Sequence, residues 1–216
     1  MSTIPTSFSE QADTASTPVK RFFDVSSSAV LLVVLLPVFG AIAIGMALLD
    51  RGPIFFRHQR VGQGGRRFGC LKFRTMRVDA AERLQHVLET DEAAREEWLA
   101  NHKLRSDPRV TPFGNFLRRT SLDELPQIIN VLRGEMSLVG PRPIVNAEIA
   151  RYGDAFALYT IVKPGITGLW QISGRSHTTY VERVSLDSHY ALNRSILMDL
   201  MIILRTPLAL LEGGAY

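Results

Sequence analysis

Val25 to Leu49 run for 25 residues without a charge, bounded by Lys20 and Arg21 on one side and by Asp50 and Arg51 on the other. As one straight helix such a run extends about 37 Å at ~1.5 Å per residue, enough to cross a hydrocarbon layer about 30 Å thick. A signal peptide fits less well, because the run begins late, is long for an apolar signal core and lacks a small-residue cleavage site near Asp50. Pro37 stands at its midpoint, where it removes a backbone hydrogen bond and crowds the preceding turn, so the helix is expected to bend or break there. Basic residues flank both ends, with Arg51, Arg57, Arg60, Arg66 and Arg67 following the run. A simple crossing conflicts with the preference for placing such residues on one side of a membrane. A hairpin that dips in and returns removes the conflict, while a kinked span stays open because membrane helices tolerate proline.

The remaining sequence is long enough for one domain with a core. Three regions are expected: a disordered Ser- and Thr-rich tail over 1–18, a membrane segment over 19–51, and a cytoplasmic domain with interfacial helices over 52–216. Ile54 to Phe56 and Phe68 to Phe73 read as short strands joined by the Gly- and Arg-rich loop Gly62 to Arg67, a small hairpin. Ala80 to Lys103 has helical spacing and reads as a charged surface helix or helix pair, ended by Asp107-Pro108. A shorter helix is expected from about Pro126 to Arg133, closed by Gly134. Ser195 to Leu211, apolar but interrupted by Pro207, reads as an interfacial or buried helix rather than a second span. The fold class is therefore α+β and mainly helical.

A net charge of +4 favours anionic partners, whether nucleic acid, lipid headgroups or phosphorylated small molecules. Cys70 is the only cysteine, which excludes a disulfide or thiolate metal site within one chain. The five histidines are scattered without ligand spacing, so zinc is not expected. Gly62 to Gly65 lacks both the full GxGxxG spacing and the P-loop lysine, and reads as a turn. No aspartates stand two apart, so the DxD pattern of many nucleotide-sugar glycosyltransferases is missing.

The densest constellation runs from Arg118 and Arg119 through Asp123 and Glu124 to Arg142, which lies between Pro141 and Pro143. Proline at a first helical position starts a helix, placing both carboxylates at a positive helix end. There an ionised carboxylate can attack phosphorus or hold a divalent metal. Ser121 and Glu124 equally match a capping box, in which the glutamate satisfies backbone donors and does no chemistry. The surrounding phosphate-binding groups, Lys72 and Arg74 among them, weigh toward chemistry.

Five ordered strings, KFRTM (72–76), RRTSLDELPQ (118–127), MSLVGPRP (136–143), KPGITGLWQISGR (163–175) and LDSHY (186–190), resemble the monotopic polyprenyl-phosphate hexose-1-phosphate transferases. These initiate bacterial exopolysaccharide, O-antigen and glycoprotein glycan assembly, and the resemblance covers about Val19 to Tyr216. It implies a re-entrant helix-break-helix at the cytoplasmic face of the inner membrane. It makes Asp123 the nucleophile that forms a covalent phosphosugar intermediate and releases UMP, and gives Glu124 a role in holding Mg²⁺. It further implies that Lys72, Arg118 and Asp187 bind phosphate or organise the site. Pro141, Arg142 and Pro143 match the family's nucleotide-binding turn, and Arg74, Arg119, Gln171 and Arg175 join them as substrate-binding candidates. Leu36 departs from the pattern, since many members carry serine before the helix-breaking proline. The freed backbone groups then have one hydroxyl fewer to satisfy them, so the bend is expected to be shallower or differently supported.

The partners implied are a UDP-sugar, undecaprenyl phosphate and inner-membrane lipid, with a second copy of the chain kept as a candidate and nucleic acid not expected. The sugar is galactose or glucose, with galactose favoured because the short form resembles enzymes that begin acidic exopolysaccharides. Two rivals stand beside this reading: a membrane-associated glycosyltransferase that releases UDP, and a non-catalytic membrane adaptor.

Overall fold

The computed structural model describes residues 18–101, 104, 106–174 and 178–212, so the expected tail lies, but for Pro18, outside the described residues. Helix α1 covers Pro18–Leu49, and the backbone stays helical through Pro37 instead of dividing there. Its two ends are anchored in different ways. At the first, Arg21 donates to the carbonyls of Val131 and Leu132, and Asp24 accepts from the Leu138 amide. At the second, Ile42 and Met46 are buried with Phe73 and Leu117. Between these feet, residues 29–31, 33, 34, 36 and 37 are exposed, which covers most directions around the helix.

Strands β1 (Phe55–Val61) and β2 (Arg67–Phe73) form the expected antiparallel hairpin, with Phe55 opposite Phe73 and Val61 opposite Arg67. Strand alternation puts Lys72 on the same face as Phe68 and Cys70, which are buried in the main core. The predicted helix pair is α2 (Ala80–Thr90) and α3 (Glu92–Asn101). Helix α4 (Pro112–Arg119) is capped by Thr111, whose hydroxyl accepts from the Gly114 amide. A Cβ on Gly114 would lie 2.1 Å from the Thr75 carbonyl oxygen, so only glycine lets α4 come this close to the end of the hairpin.

Helix α5 (Gln127–Arg133) ends at Gly134, which adopts the left-handed conformation at φ 82°. Its Asn130 is fully buried and pairs the free edge of β2 as another strand would, accepting from Leu71 N and donating to Gly69 O, both at 2.9 Å. Asn130→Ala leaves two buried backbone groups unsatisfied, and a melting experiment in detergent should show a loss of about 3 kcal/mol.

A second, parallel pairing joins β3 (Ser137–Val139) to β4 (Gly165–Thr167). Between them come the short helices α6 (Ile149–Tyr152) and α7 (Phe156–Ile161), and after them α8 (Leu169–Ile172) and α9 (Tyr180–Asn193). Helix α10 (Ile196–Glu212) continues through Pro207, where an interruption was expected. It buries Ile202 and Ala209 but exposes Leu197, Leu200, Leu204, Leu208 and Leu211, spaced three or four apart along one face. The mainly helical α+β class is as expected.

Candidate active site

Asp123 and Glu124 lie on a 3-10 turn, Leu122–Glu124, entered through Ser121 at φ 56° and ψ 15°. Ser121 is the only non-glycine described residue with positive φ, a conformation that costs energy unless its surroundings enforce it. Its side chain makes no cap bond, so the capping-box reading of Ser121 and Glu124 does not hold. Leu122 and Leu125, on either side of the two acids, pack against the cluster formed by Ile42 and Met46 of α1 with Phe73 and Leu117. The pair is thereby fixed beside the second foot of the membrane helix.

The two carboxylates have different surroundings. Glu124 Oε1 accepts from Lys72 Nζ at 2.6 Å and from Arg142 Nη2 at 3.2 Å. Burial works against the Glu124 anion, but Arg142 and Lys72 outweigh it and hold the carboxyl at about 2. Asp123, 7% exposed, has among the described residues one charged contact within ion-pair distance, Lys72 at 3.6 Å. Burial pushes its pKa above the usual range, Lys72 opposes the rise and the Glu124 charge adds to it. Both carboxylates were expected at a positive helix end; the basic groups converge on Glu124, and only its pKa is lowered.

Arg142 is presented by a stiff turn. Gly165 N donates to Pro141 O at 2.9 Å, and Arg60 donates to Pro143 O at 3.2 Å. A Cβ on Gly140 would lie 2.3 Å from the Lys163 carbonyl oxygen, so glycine permits this approach of the two short strands. Arg118 donates from Nε to Thr75 Oγ1 at 2.8 Å and lies near enough to Asp123 for the two charges to act on each other.

Asp187 is buried and accepts from Tyr152 OH at 2.7 Å. Burial raises its pKa to about 6, against the Tyr152 hydrogen bond and the charges of Arg183 and Arg142. Asp187 therefore belongs to the same electrostatic neighbourhood as Arg142. Gln171 is buried at the end of α8, near Gly168.

Two candidates lie elsewhere. Arg74 spends its guanidinium on the carbonyls of Pro53, Met76 and Asp50 at 2.6 to 2.9 Å, tying the end of α1 to the end of β2. Arg119 is exposed and makes no hydrogen bond or ion pair among the described residues. Arg175 lies outside them. The sequence reading missed Arg183, which bonds Glu148 at 3.2 Å and stacks over Trp170 and Tyr180. Its position four residues before Asp187 on one helix was the available signal.

The two neighbouring acids suit Mg²⁺ as that ion is commonly held, by one or two carboxylates with substrate phosphates completing the shell. No cluster of three or more acidic, histidine or cysteine ligands occurs among the described residues, and such a shell does not need one.

A family model described as "Bacterial sugar transferase" matches residues 15–213. The chain is 49% identical over 199 residues to the UDP-galactose-lipid carrier transferase of Erwinia amylovora, covering 92% of this chain and 42% of that protein. It is 47% identical to the exopolysaccharide production protein ExoY of Sinorhizobium fredii, covering 91% and 88% respectively. The undecaprenyl-phosphate galactose phosphotransferase of Salmonella typhimurium is 46% identical, with 92% of this chain and 42% of that protein aligned. The chain thus spans less than half of two of these relatives and most of the third.

Proposed function

Given that the chain belongs to the bacterial sugar transferase family, we propose that it transfers hexose-1-phosphate from a UDP-hexose to undecaprenyl phosphate, the first membrane step of exopolysaccharide synthesis. The observation that carries this reading is the asymmetry of the two acids. Glu124 is clamped by Lys72 and Arg142, whereas Asp123 keeps a desolvated carboxylate with one long contact. An anion held that way is poorly solvated and available to attack.

In the first step a carboxylate oxygen of Asp123 bonds to the β-phosphorus of the UDP-hexose. The bond from that phosphorus to the bridging oxygen breaks, and UMP leaves with the electron pair. A phosphate oxygen of undecaprenyl phosphate then attacks the same phosphorus, forming the lipid diphosphate sugar and returning Asp123 as a carboxylate. Lys72 and Arg142 offset the charge of the diphosphate, and Arg118 holds the strand end at Thr75 beside the nucleophile. Glu124 would hold Mg²⁺, which would supply further neutralisation of the phosphate charge. Two relatives with galactose in their names support UDP-galactose as the donor.

The reading seats the protein at the cytoplasmic face of the membrane, and α1 supports its association with lipid. Both feet grip the same domain, while the segment around Pro37 is exposed on most sides, which supports a segment that enters the lipid and returns. A helix crossing the bilayer would carry one foot about 30 Å away from the other's side. The apolar stripe on α10 supports contact with the same surface.

The test incubates detergent-purified protein with undecaprenyl phosphate, Mg²⁺ and a panel of UDP-sugars, and identifies the nucleotide released. UMP is expected, UDP would make the protein an ordinary glycosyltransferase, and no turnover of any donor would favour the adaptor. EDTA should suppress UMP release, and added Mg²⁺ should restore it.

A further inference from the structure

At the other foot of α1, away from the two acids, a small cleft open to solvent lies between α1, β3 and the corner joining α9 to α10. Lys20, Arg21, Lys163 and Arg194 line it, with Asp24 as the one lining carboxylate. We propose that this cleft binds the phosphate of an anionic phospholipid headgroup.

Some of its charge has a structural explanation. Lys20 pairs with Asp199 at 2.5 Å, and Arg21 caps the carbonyl end of α5. Lys163 has none, since it makes no hydrogen bond or ion pair among the described residues. Its ammonium instead shares the space over Gly134 with the Arg21 guanidinium, the two groups lying 3.8 and 3.5 Å from where a Cβ on that glycine would stand. Partial burial together with the charges of Arg21 and Lys20 pulls the Lys163 pKa down, against the attraction of Asp24. Lys20 is opposed by Asp199 and Asp24, but Arg21 and Lys163 meet over Gly134 with no ion pair of their own among the described residues, and an anion between them relieves their repulsion. Ser137 is a second, independent sign: it lines the cleft, is 1% exposed, and its hydroxyl has no partner among the described residues. A buried hydroxyl of this kind calls for a hydrogen-bond partner, and a phosphate oxygen is one.

The surroundings favour a lipid over a soluble phosphate. Val19 and Phe22, beside Lys20 and Arg21, are 59% and 75% exposed, and Leu197 beyond Arg194 is 78% exposed. Apolar side chains reach outward on both sides of a cationic cleft, the pattern of a protein seated at headgroup depth. The inference rests on the membrane placement proposed above, and it concerns a site other than the one that takes undecaprenyl phosphate.

The full chain is reconstituted in bilayers of phosphatidylcholine mixed with phosphatidylglycerol, and native mass spectrometry reads which lipid stays bound after release. Wild type should retain phosphatidylglycerol over phosphatidylcholine, and Lys163→Gln should lower that retention about tenfold, the loss of one charge-assisted hydrogen bond. Ser137→Ala should lower it less, and if that variant misfolds, Lys163→Gln carries the test alone. Equal retention by wild type and Lys163→Gln overturns the proposal. So does complete displacement of the lipid by millimolar inorganic phosphate, which would make the cleft a free-anion site. Flotation with vesicles of phosphatidylcholine alone tests membrane placement separately: a wild type that fails to float refutes that placement, whereas one that floats without headgroup preference refutes only the cleft.

Discussion

The Asp123→Asn protein is expected to lose phosphosugar transfer by at least about 10⁴-fold while folding as well as the parent or better. Asparagine matches aspartate in shape, so the turn entered through Ser121 and the packing of Leu122 and Leu125 have no reason to change. What disappears is the nucleophile. The direction of the stability effect follows from the raised Asp123 pKa, since a carboxyl harder to ionise when folded than when unfolded destabilises the fold once pH exceeds the unfolded value near 4. Neutral asparagine removes that burden and leaves Lys72 to Glu124 alone. A melting temperature equal to or above wild type, with transfer abolished, separates loss of chemistry from loss of structure. Mass spectrometry of wild type given UDP-sugar without lipid acceptor should show a phosphosugar adduct on the peptide containing Asp123, and none in the variant. Transfer unchanged by Asp123→Asn would refute the nucleophile assignment.

Much of the fold was legible because its signals are local. The charge-free run, the Gly-rich turn between two β-type segments and the helical spacing from Ala80 onward each follow from a few adjacent residues. The pairing of β3 with β4 was not legible: three-residue strands carry no usable alternation, and their parallel register is set by glycine contacts between segments more than 20 residues apart. Pro37 and Pro207 both lie inside helices that run on without a break, because bending and local adjustment can keep a backbone helical where propensity opposes it.

At the site, residue type foretold the cast but not each part. Arg74 has the charge of a phosphate ligand, yet carbonyls at the end of α1 claim it, a fact that only tertiary structure supplies. Ser121 and Glu124 have capping-box spacing, but the left-handed turn at Ser121 aims the glutamate at Lys72 and Arg142 instead. Local spacing gave two readings of equal form, and the strained backbone chose between them.

Replacing Lys72 with methionine should reduce UMP release by about 10² to 10³-fold, the range for removing one group that stabilises developing charge. Lys72 is the side chain that touches both acids, at 2.6 Å to Glu124 and 3.6 Å to Asp123. Glu124 loses its shortest ion pair but keeps Arg142 at 3.2 Å, whereas Asp123 loses its one charged contact within ion-pair distance among the described residues. Because the Lys72 charge lowers the Asp123 pKa, removing it moves that pKa further upward. The nucleophile must be ionised, so activity rises with pH through this pKa, and the acid limb of the Lys72→Met profile should lie at higher pH than that of wild type. Raising the pH should therefore recover part of the lost rate, which damage to the fold would not allow. Lys72→Arg keeps the charge but cannot reproduce a compact ammonium between two carboxylates, so it should return the acid limb toward its wild-type position while leaving the maximal rate low. A Lys72→Met profile superimposable on wild type, merely scaled down, would show that Lys72 serves the substrate phosphates alone and does not set the state of Asp123.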